Sequence, residues 1–206
     1  MHTDRFTPLD AATLLRWMRH DLRNGQLFGI DRRLFFMPKP DDPFRMERYG
    51  RTLETPLGVA AGPHAQLAQN ILSAWLCGAR YIELKTVQVL DELNVAKPCI
   101  DMADEGYNCE WSQELRLDQS FEEYLKAFVL LYVLRDMFNL PPEAAPGKGP
   151  GFIFNMSAGY DLEGIRSPAV QRFLDRMENA ADDVARLKEE LAPVYPGITK
   201  LSLPVR

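Results

Sequence analysis

Lys85 is the residue whose setting most calls for chemistry. It stands near the end of the run Tyr81-Ile82-Glu83-Leu84-Lys85-Thr86-Val87. An ammonium group on an otherwise apolar strand is costly to bury without an anionic or hydrogen-bonding partner, and there it can stabilise negative charge developing on a bound ring. It can equally be a strand-end lysine with its stem along apolar surface, or the partner of Glu83 or Glu110. On this run alone the readings stand level. A second cluster, Ala60-Ala61-Gly62-Pro63-His64, closes another apolar run. Gly62 would let the backbone approach a flat ligand or a phosphate, but a turn glycine before a helix is the simpler reading. Asn155 interrupts the aromatic run Phe152-Ile153-Phe154. A buried amide needs partners, which a ring edge with alternating donors and acceptors, or a neighbouring loop, would provide. His64 has the chemistry for phosphate binding or proton transfer, although a lone histidine in a turn is more often structural.

Other segments offer less. Cys99-Ile100-Asp101-Met102-Ala103-Asp104-Glu105 is acidic, but its spacing fits no standard metal loop, and no metal site is expected. Gly147-Lys148-Gly149 lacks the Walker A spacing and reads as a flexible turn. The three cysteines, Cys77, Cys99 and Cys109, form no C-x-x-C and suit buried thiols in a reducing cytoplasm. Lys plus Arg total 24 and Asp plus Glu 29, a formal net charge of −5 over 206 residues. That balance argues against nucleic acid or an anionic membrane as partner, since both require a clustered positive face. No apolar run is long enough to span a bilayer, and the amino terminus has no secretory-signal pattern.

The elements that must position these residues can be read from period and punctuation. Residues 8–24 predict a helix, capped by Thr7 with Pro8 in its first turn. Residues 37–44 form a proline-rich connector, and residues 45–55 a small hairpin around Gly50. Leu57 to Ala61 predicts a buried strand, residues 65–77 a helix and Tyr81 to Val87 a second strand. Residues 88–117 are irregular. Residues 120–138 predict a helix opened by a Ser120/Glu123 capping box, with an apolar stripe through Phe121, Tyr124, Leu125, Phe128, Leu131 and Phe138. Pro141 to Gly151 reads as an exposed loop, Phe152 to Met156 as a third strand, residues 167–191 as one helix, and Ile198 to Leu203 as a fourth strand. Strands alternating with helices imply a parallel sheet with right-handed crossovers. In such folds ligands bind at the carboxyl ends of the strands, which is where Ala61 to His64, Lys85-Thr86, Asn155 to Ser157 and the polar stretch entered from the second strand fall. No G-x-G-x-x-G follows any strand, which counts against a doubly wound nucleotide-binding domain.

The stretch Tyr49 to Pro63 resembles the segment leading into the barrel of dihydroorotate and dihydropyrimidine dehydrogenases, and Glu83-Leu84-Lys85-Thr86-Val87 is similar to that family's second-strand signature. Tyr107-Asn108-Cys109-Glu110 and Phe154-Asn155-Met156-Ser157 resemble its flavin- and substrate-facing segments. Four segments together resemble a narrower branch: Ala61 to Asn70, Glu83 to Gln88, Lys97 to Asp101 and Phe152 to Ile165 are similar to the amino-terminal region of the selenate reductase iron–sulfur subunit family. The resemblance runs from about residue 25 to the end.

It implies an α/β fold, part of a (β/α)8 TIM barrel comprising about its first four βα units and preceded by a helix and a hairpin. Residues 1–44 would be a helical extension with its connector, and residues 45–206 the first half of an FMN-binding barrel. FMN would be bound by Ala60, Ala61, Gly62, Lys85, Thr86, Asn108 and Asn155, with no catalytic residue assigned. Iron–sulfur clusters, FAD and NAD(P) would belong to modules outside this chain. The partners would be a heterocyclic or related small substrate and the rest of the enzyme or a complementary subunit, in the cytoplasm. Family members carry a Cys-Pro loop beyond the strand at which this chain stops, and four strand candidates face the eight that a barrel requires. The expectation is therefore a fragment, a truncated frame or one piece of a split enzyme. The alternative is a non-catalytic scaffold that binds the other half of the barrel.

Overall fold

A computed structural model of the chain describes residues 7–89, 115–159 and 161–205. Its first helix, α1 (Ala11–Arg23), starts later than the spacing predicts. Asp10 caps it in place of Thr7, its carboxylate accepting the Thr13 N–H at 2.7 Å. That bond also holds the Asp10 carboxyl below its ordinary range. Two short hairpins follow, β1 (Gln26–Leu27) with β2 (Ile30–Asp31), and β3 (Met46–Arg48) with β4 (Arg51–Leu53). The second is the expected hairpin, turning through Tyr49 and Gly50 with φ of 50° and 70°, as tight two-residue hairpins require.

Three parallel strands form the central sheet in the order β5 (Gly58–Val59), β6 (Tyr81–Gln88), β7 (Ile153–Gly159). Helix α2 (Ala68–Leu76) crosses from β5 to β6, and α3 (Leu117–Met137) precedes β7. Side chains alternate across β6. Ile82 and Leu84 face the helices and join one apolar cluster with Ile71, Leu72 and Trp75 of α2 and with Tyr124, Ala127 and Leu130 of α3. Phe152 and Phe154 meet the ring of Phe128 edge-on at 6.0 and 5.8 Å.

Helix α3 is buried on nearly every side, not along one stripe, so Ser120, Glu123, Lys126 and Arg135 are inside along with the apolar residues. The predicted Ser120/Glu123 box is displaced. The helix begins at Leu117, and the Gln119 side chain accepts the Arg116 N–H at 3.0 Å. Glu123 instead caps a different helix: its Oε2 accepts the Ala68 N–H at 2.8 Å, at the start of α2, where Leu67 has no side chain that could do so. Lys126 pairs with Glu123 and also donates to Leu9 O.

The helix expected over residues 167–191 is two, α5 (Pro168–Glu178) and α6 (Ala181–Leu191), after a short α4 (Leu162–Ile165). Asn179 breaks it. Its backbone is extended and its side chain accepts the Ala181 N–H at 3.3 Å, the local competition that makes Asn a poor interior helix residue. Arg176 and Asp183 bridge the corner at 2.7 Å. The expected fourth strand is absent. Pro196–Lys200 is a 3-10 helix, and Leu201 and Val205 give their carbonyls to Lys188 Nζ and the Ala180 N–H instead of to a ladder. Among the described residues the architecture is thus part of a TIM barrel: parallel βα units with no closure.

The amino ends of the strands are tied by a buried ion network. Glu54 accepts from Arg80 Nε at 2.6 Å and from Arg135 Nη1 at 2.9 Å, and no member is more than 1% exposed. Arg80 also donates to Trp75 O and Ala79 O and lies 4.4 Å from the Trp75 ring. Arg135 donates to Pro141 O. The loop up to Gly151, read as exposed and in part flexible, is docked here: Lys148 O accepts the Thr52 N–H and Gly151 O the Glu54 N–H, both at 3.0 Å. Gly151 has φ +86°, and a Cβ there would lie 2.6 Å from the Glu54 side chain. Gly151→Ala therefore meets both backbone strain and a collision with a fixed carboxylate. A loss of about 1–3 kcal/mol is expected, read as a lower urea midpoint; an unchanged midpoint would contradict this packing.

Burial also sets an alkaline limit. The Tyr132 hydroxyl is pushed up to about 12, mainly by desolvation. An unfolded tyrosine ionises near 10, so between those values the unfolded state has lost a proton that the folded state retains. The stability from this group is intact below pH 10 and drains away as pH rises toward 12. Tyr132→Phe is expected to flatten that part of the stability–pH curve, measured by urea unfolding at a series of alkaline pH values.

Candidate functional site

Three of the predicted positions meet at the carboxyl ends of the three strands. Strand register sets Glu83 opposite Asn155 and Val59 opposite Ile82, so Ala60 and Ala61 follow directly beside Glu83. Tyr81, Glu83 and Lys85 alternate onto the face of β6 that points away from the helices, and Asn155 shares that face.

The ladder between β6 and β7 slips after Leu84. Leu84 pairs with Met156 and Val87 with Ala158, so Lys85 and Thr86 together oppose the single residue Ser157. This is a β-bulge, a feature that re-aims side chains and recurs beside active sites. Lys85 is only 3% exposed, which is the costly burial that its sequence setting suggested. Its carbonyl accepts the Tyr124 hydroxyl at 2.7 Å, anchoring the bulge to α3, and burial raises that hydroxyl's pKa well above the tyrosine range. Thr86 is half-buried beside Gly159.

The turn after β5 is braced from two sides. His64 Nε2 donates to Ala60 O at 3.1 Å, and the Ala61 N–H donates to Glu83 Oε2 at 3.2 Å. The histidine thus has the structural role that its isolation suggested. Gly62 is extended, with φ −168°, a conformation open to any residue. Its need is spatial, because a Cβ would lie 2.7 Å from the His64 ring. The close approach is thus first to an imidazole of the same turn.

Two expectations need correction. Asn155 is exposed, so its amide makes no demand for a buried partner and is open to one from outside. Cys77, expected to be buried, is exposed at the end of α2. Asn108, with Cys99, Cys109, Glu110 and the acidic segment Asp101 to Glu105, lies outside the described residues. Glu83 was missed as a site residue, although its alternation with Ile82 and Leu84 puts it on the face of Lys85. A cavity of about 220 Å³ lies on the helix side of the sheet, lined by Phe128, Tyr132, Phe152, Phe154 and Val205 among others, and among the described residues none of the predicted site positions borders it. Among the described residues, no helix is long and apolar enough to cross a membrane.

Residues 28–196 match the family model for the amino-terminal TIM-barrel domain of the oxidoreductase YgfK. The chain belongs to this oxidoreductase family. YgfK of Escherichia coli strain K12, and that of strain O157:H7, are each 50% identical to it over 156 residues, 76% of this chain and 14% of theirs. The chain thus spans a small part of the curated relatives it matches. The family found is that of YgfK. It agrees with the expected oxidoreductase barrel, and its description names neither selenate nor a cofactor.

Proposed function

We propose that this chain supplies the flavin-holding part of an FMN- and iron–sulfur-dependent oxidoreductase that acts on a heterocyclic or related small substrate. The observation that carries this reading is the bulge. It sets a buried lysine at a strand's carboxyl end, one strand away from a braced turn on one side and an open asparagine amide on the other. A planar ring with an electron-rich edge fits that donor set. Lys85 would neutralise negative charge on the ring, Asn155 and Asn108 would bond its edge or the substrate, and Ala60, Ala61, Gly62 and Thr86 would form the floor. FMN, when bound, supplies the electron-transfer chemistry, and the protein orients and tunes it. The iron–sulfur clusters that accept or deliver electrons would lie outside this chain.

The test is to purify the protein as the cell makes it and titrate FMN into it. Bound flavin is expected to show a protein-shifted visible spectrum and quenched fluorescence. A folded protein that takes up no FMN would refute the reading.

A second reading, as a scaffold that binds the rest of a barrel, is favoured by the sheet edges. Among the described residues neither β5 nor β7 has a strand on its outer side, and parallel sheets are normally covered. Size-exclusion chromatography with and without the complementary barrel segment separates the two: binding that segment but not FMN favours the scaffold.

A further inference from the structure

We propose that Glu83 is a positioning residue of the flavin site, holding the Ala60–Gly62 turn at a set distance from Lys85. This rests on the flavin reading above. The turn leaves β5, a strand of only two residues that pairs with β6 through Gly58 and Val59 alone. Among the described residues, the β5–β6 ladder ends at Val59, and the next hydrogen bond along the chain to β6 is the one from the Ala61 N–H to Glu83 Oε2, 3.2 Å. His64 closes the turn onto itself through Ala60 O but does not tie it to β6. The carboxylate of Glu83 therefore does what one more rung of the ladder would do, with one difference: it reaches from the ligand-facing side of the sheet.

Two residues on, the same strand carries Lys85. The bulge begins directly after Leu84, so Glu83 is the last residue but one of regular β6 before the strand departs from its register. It is thus the point from which both walls of the site are measured: the turn through its side chain, the lysine through its backbone. Asn155, on the third wall, is its register partner on β7. A half-buried carboxylate on the central strand, satisfied by the Ala61 N–H, fixes the position of that turn relative to β6. A shift of about 1 Å in such a group is enough to cost a large factor in function.

The prediction separates Glu83→Gln from Glu83→Ala. Glutamine keeps an oxygen that can accept the Ala61 N–H, whereas alanine removes it. Glu83→Gln is expected to bind FMN within about threefold of the parent, and Glu83→Ala at least tenfold more weakly, with little change in the thermal midpoint because the carboxylate is only half-buried. The FMN titration is done on the protein as the cell makes it. A second, flavin-free measurement follows hydrogen exchange at the Ala61 amide: slow in the parent and Gln variant, faster in the Ala variant. If the parent binds no FMN, the flavin reading fails while the exchange arm still reports on the brace. If FMN binds the Ala variant as well as the parent, or if the Ala61 amide exchanges equally in all three, the positioning role is overturned. Equal weakening in the Gln and Ala variants would also overturn it, because the charge and not the acceptor would then matter.

Discussion

Glu54→Ala is expected to remove about 3–5 kcal/mol of stability, the loss seen when one partner of a buried ion pair is deleted. The network makes the effect severe, because one carboxylate serves two guanidinium groups, Arg80 at 2.6 Å and Arg135 at 2.9 Å. Removing it leaves two buried cations side by side. Burial already lowers the pKa of Arg80, and Glu54 is the chief influence that opposes the shift. Arginine does not escape by losing its proton, so the strain must go into the fold. The Trp75 ring over Arg80 and the carbonyls of Trp75, Ala79 and Pro141 offset only part of it. A domain stabilised by about 5–15 kcal/mol would then lie close to its unfolding threshold. Urea unfolding followed by near-ultraviolet circular dichroism measures the shift in midpoint, and a midpoint equal to the parent's would refute the role. A triple replacement with Leu at position 54 and Met at positions 80 and 135 is expected to recover much of the loss, since no charge is left unpaired.

Lys85→Met carries the largest expected effect on function. Methionine fills a similar volume without the charge, and the residue is almost fully buried, so the variant tests the ammonium more than the packing. A hydrogen bond from a charged group contributes about 1.5–3 kcal/mol, which is about a 10- to 150-fold loss of FMN affinity. Lys85→Arg is not expected to rescue binding, because a larger, planar guanidinium is not interchangeable with a compact ammonium at a buried position. The measurement is an FMN titration beside a thermal melt without flavin. A variant that melts like the parent and binds FMN equally well would remove Lys85 from the site.

Much of this arrangement is legible in the chain, and the failures have a common cause. The three strands and the turn after β5 follow from apolar runs closed by Gly, Pro or a polar end, all local signals. So does the hairpin around Gly50. What local patterns do not carry is a partner brought in by folding. Ser120 and Glu123 have the spacing of a capping box, but Glu123 is drawn to the uncapped start of α2 by tertiary packing. Ile198 to Leu203 has the composition of a strand, but Pro196 starts a 3-10 turn and Lys188 and Ala180 take carbonyls of the extended segment that follows. Asn179 interrupts an amphipathic pattern that is otherwise continuous on both sides. At the site, the lysine could be picked out by its cost of burial. The bulge that aims it and the bond from the turn to Glu83 could not, because both depend on register between strands far apart in sequence; alternation along β6 gave only the face on which Glu83 lies.

The ion network and the strand-end site lie at opposite ends of the same three strands, and this has an evolutionary consequence. Glu54, Arg80 and Gly151 stand just before the strands begin, and Ala61, Lys85 and Asn155 stand where they finish. Substitutions that retune what the site accepts need not disturb the charges that hold the scaffold together. A lineage could vary the residues of one rim while selection keeps the other nearly constant.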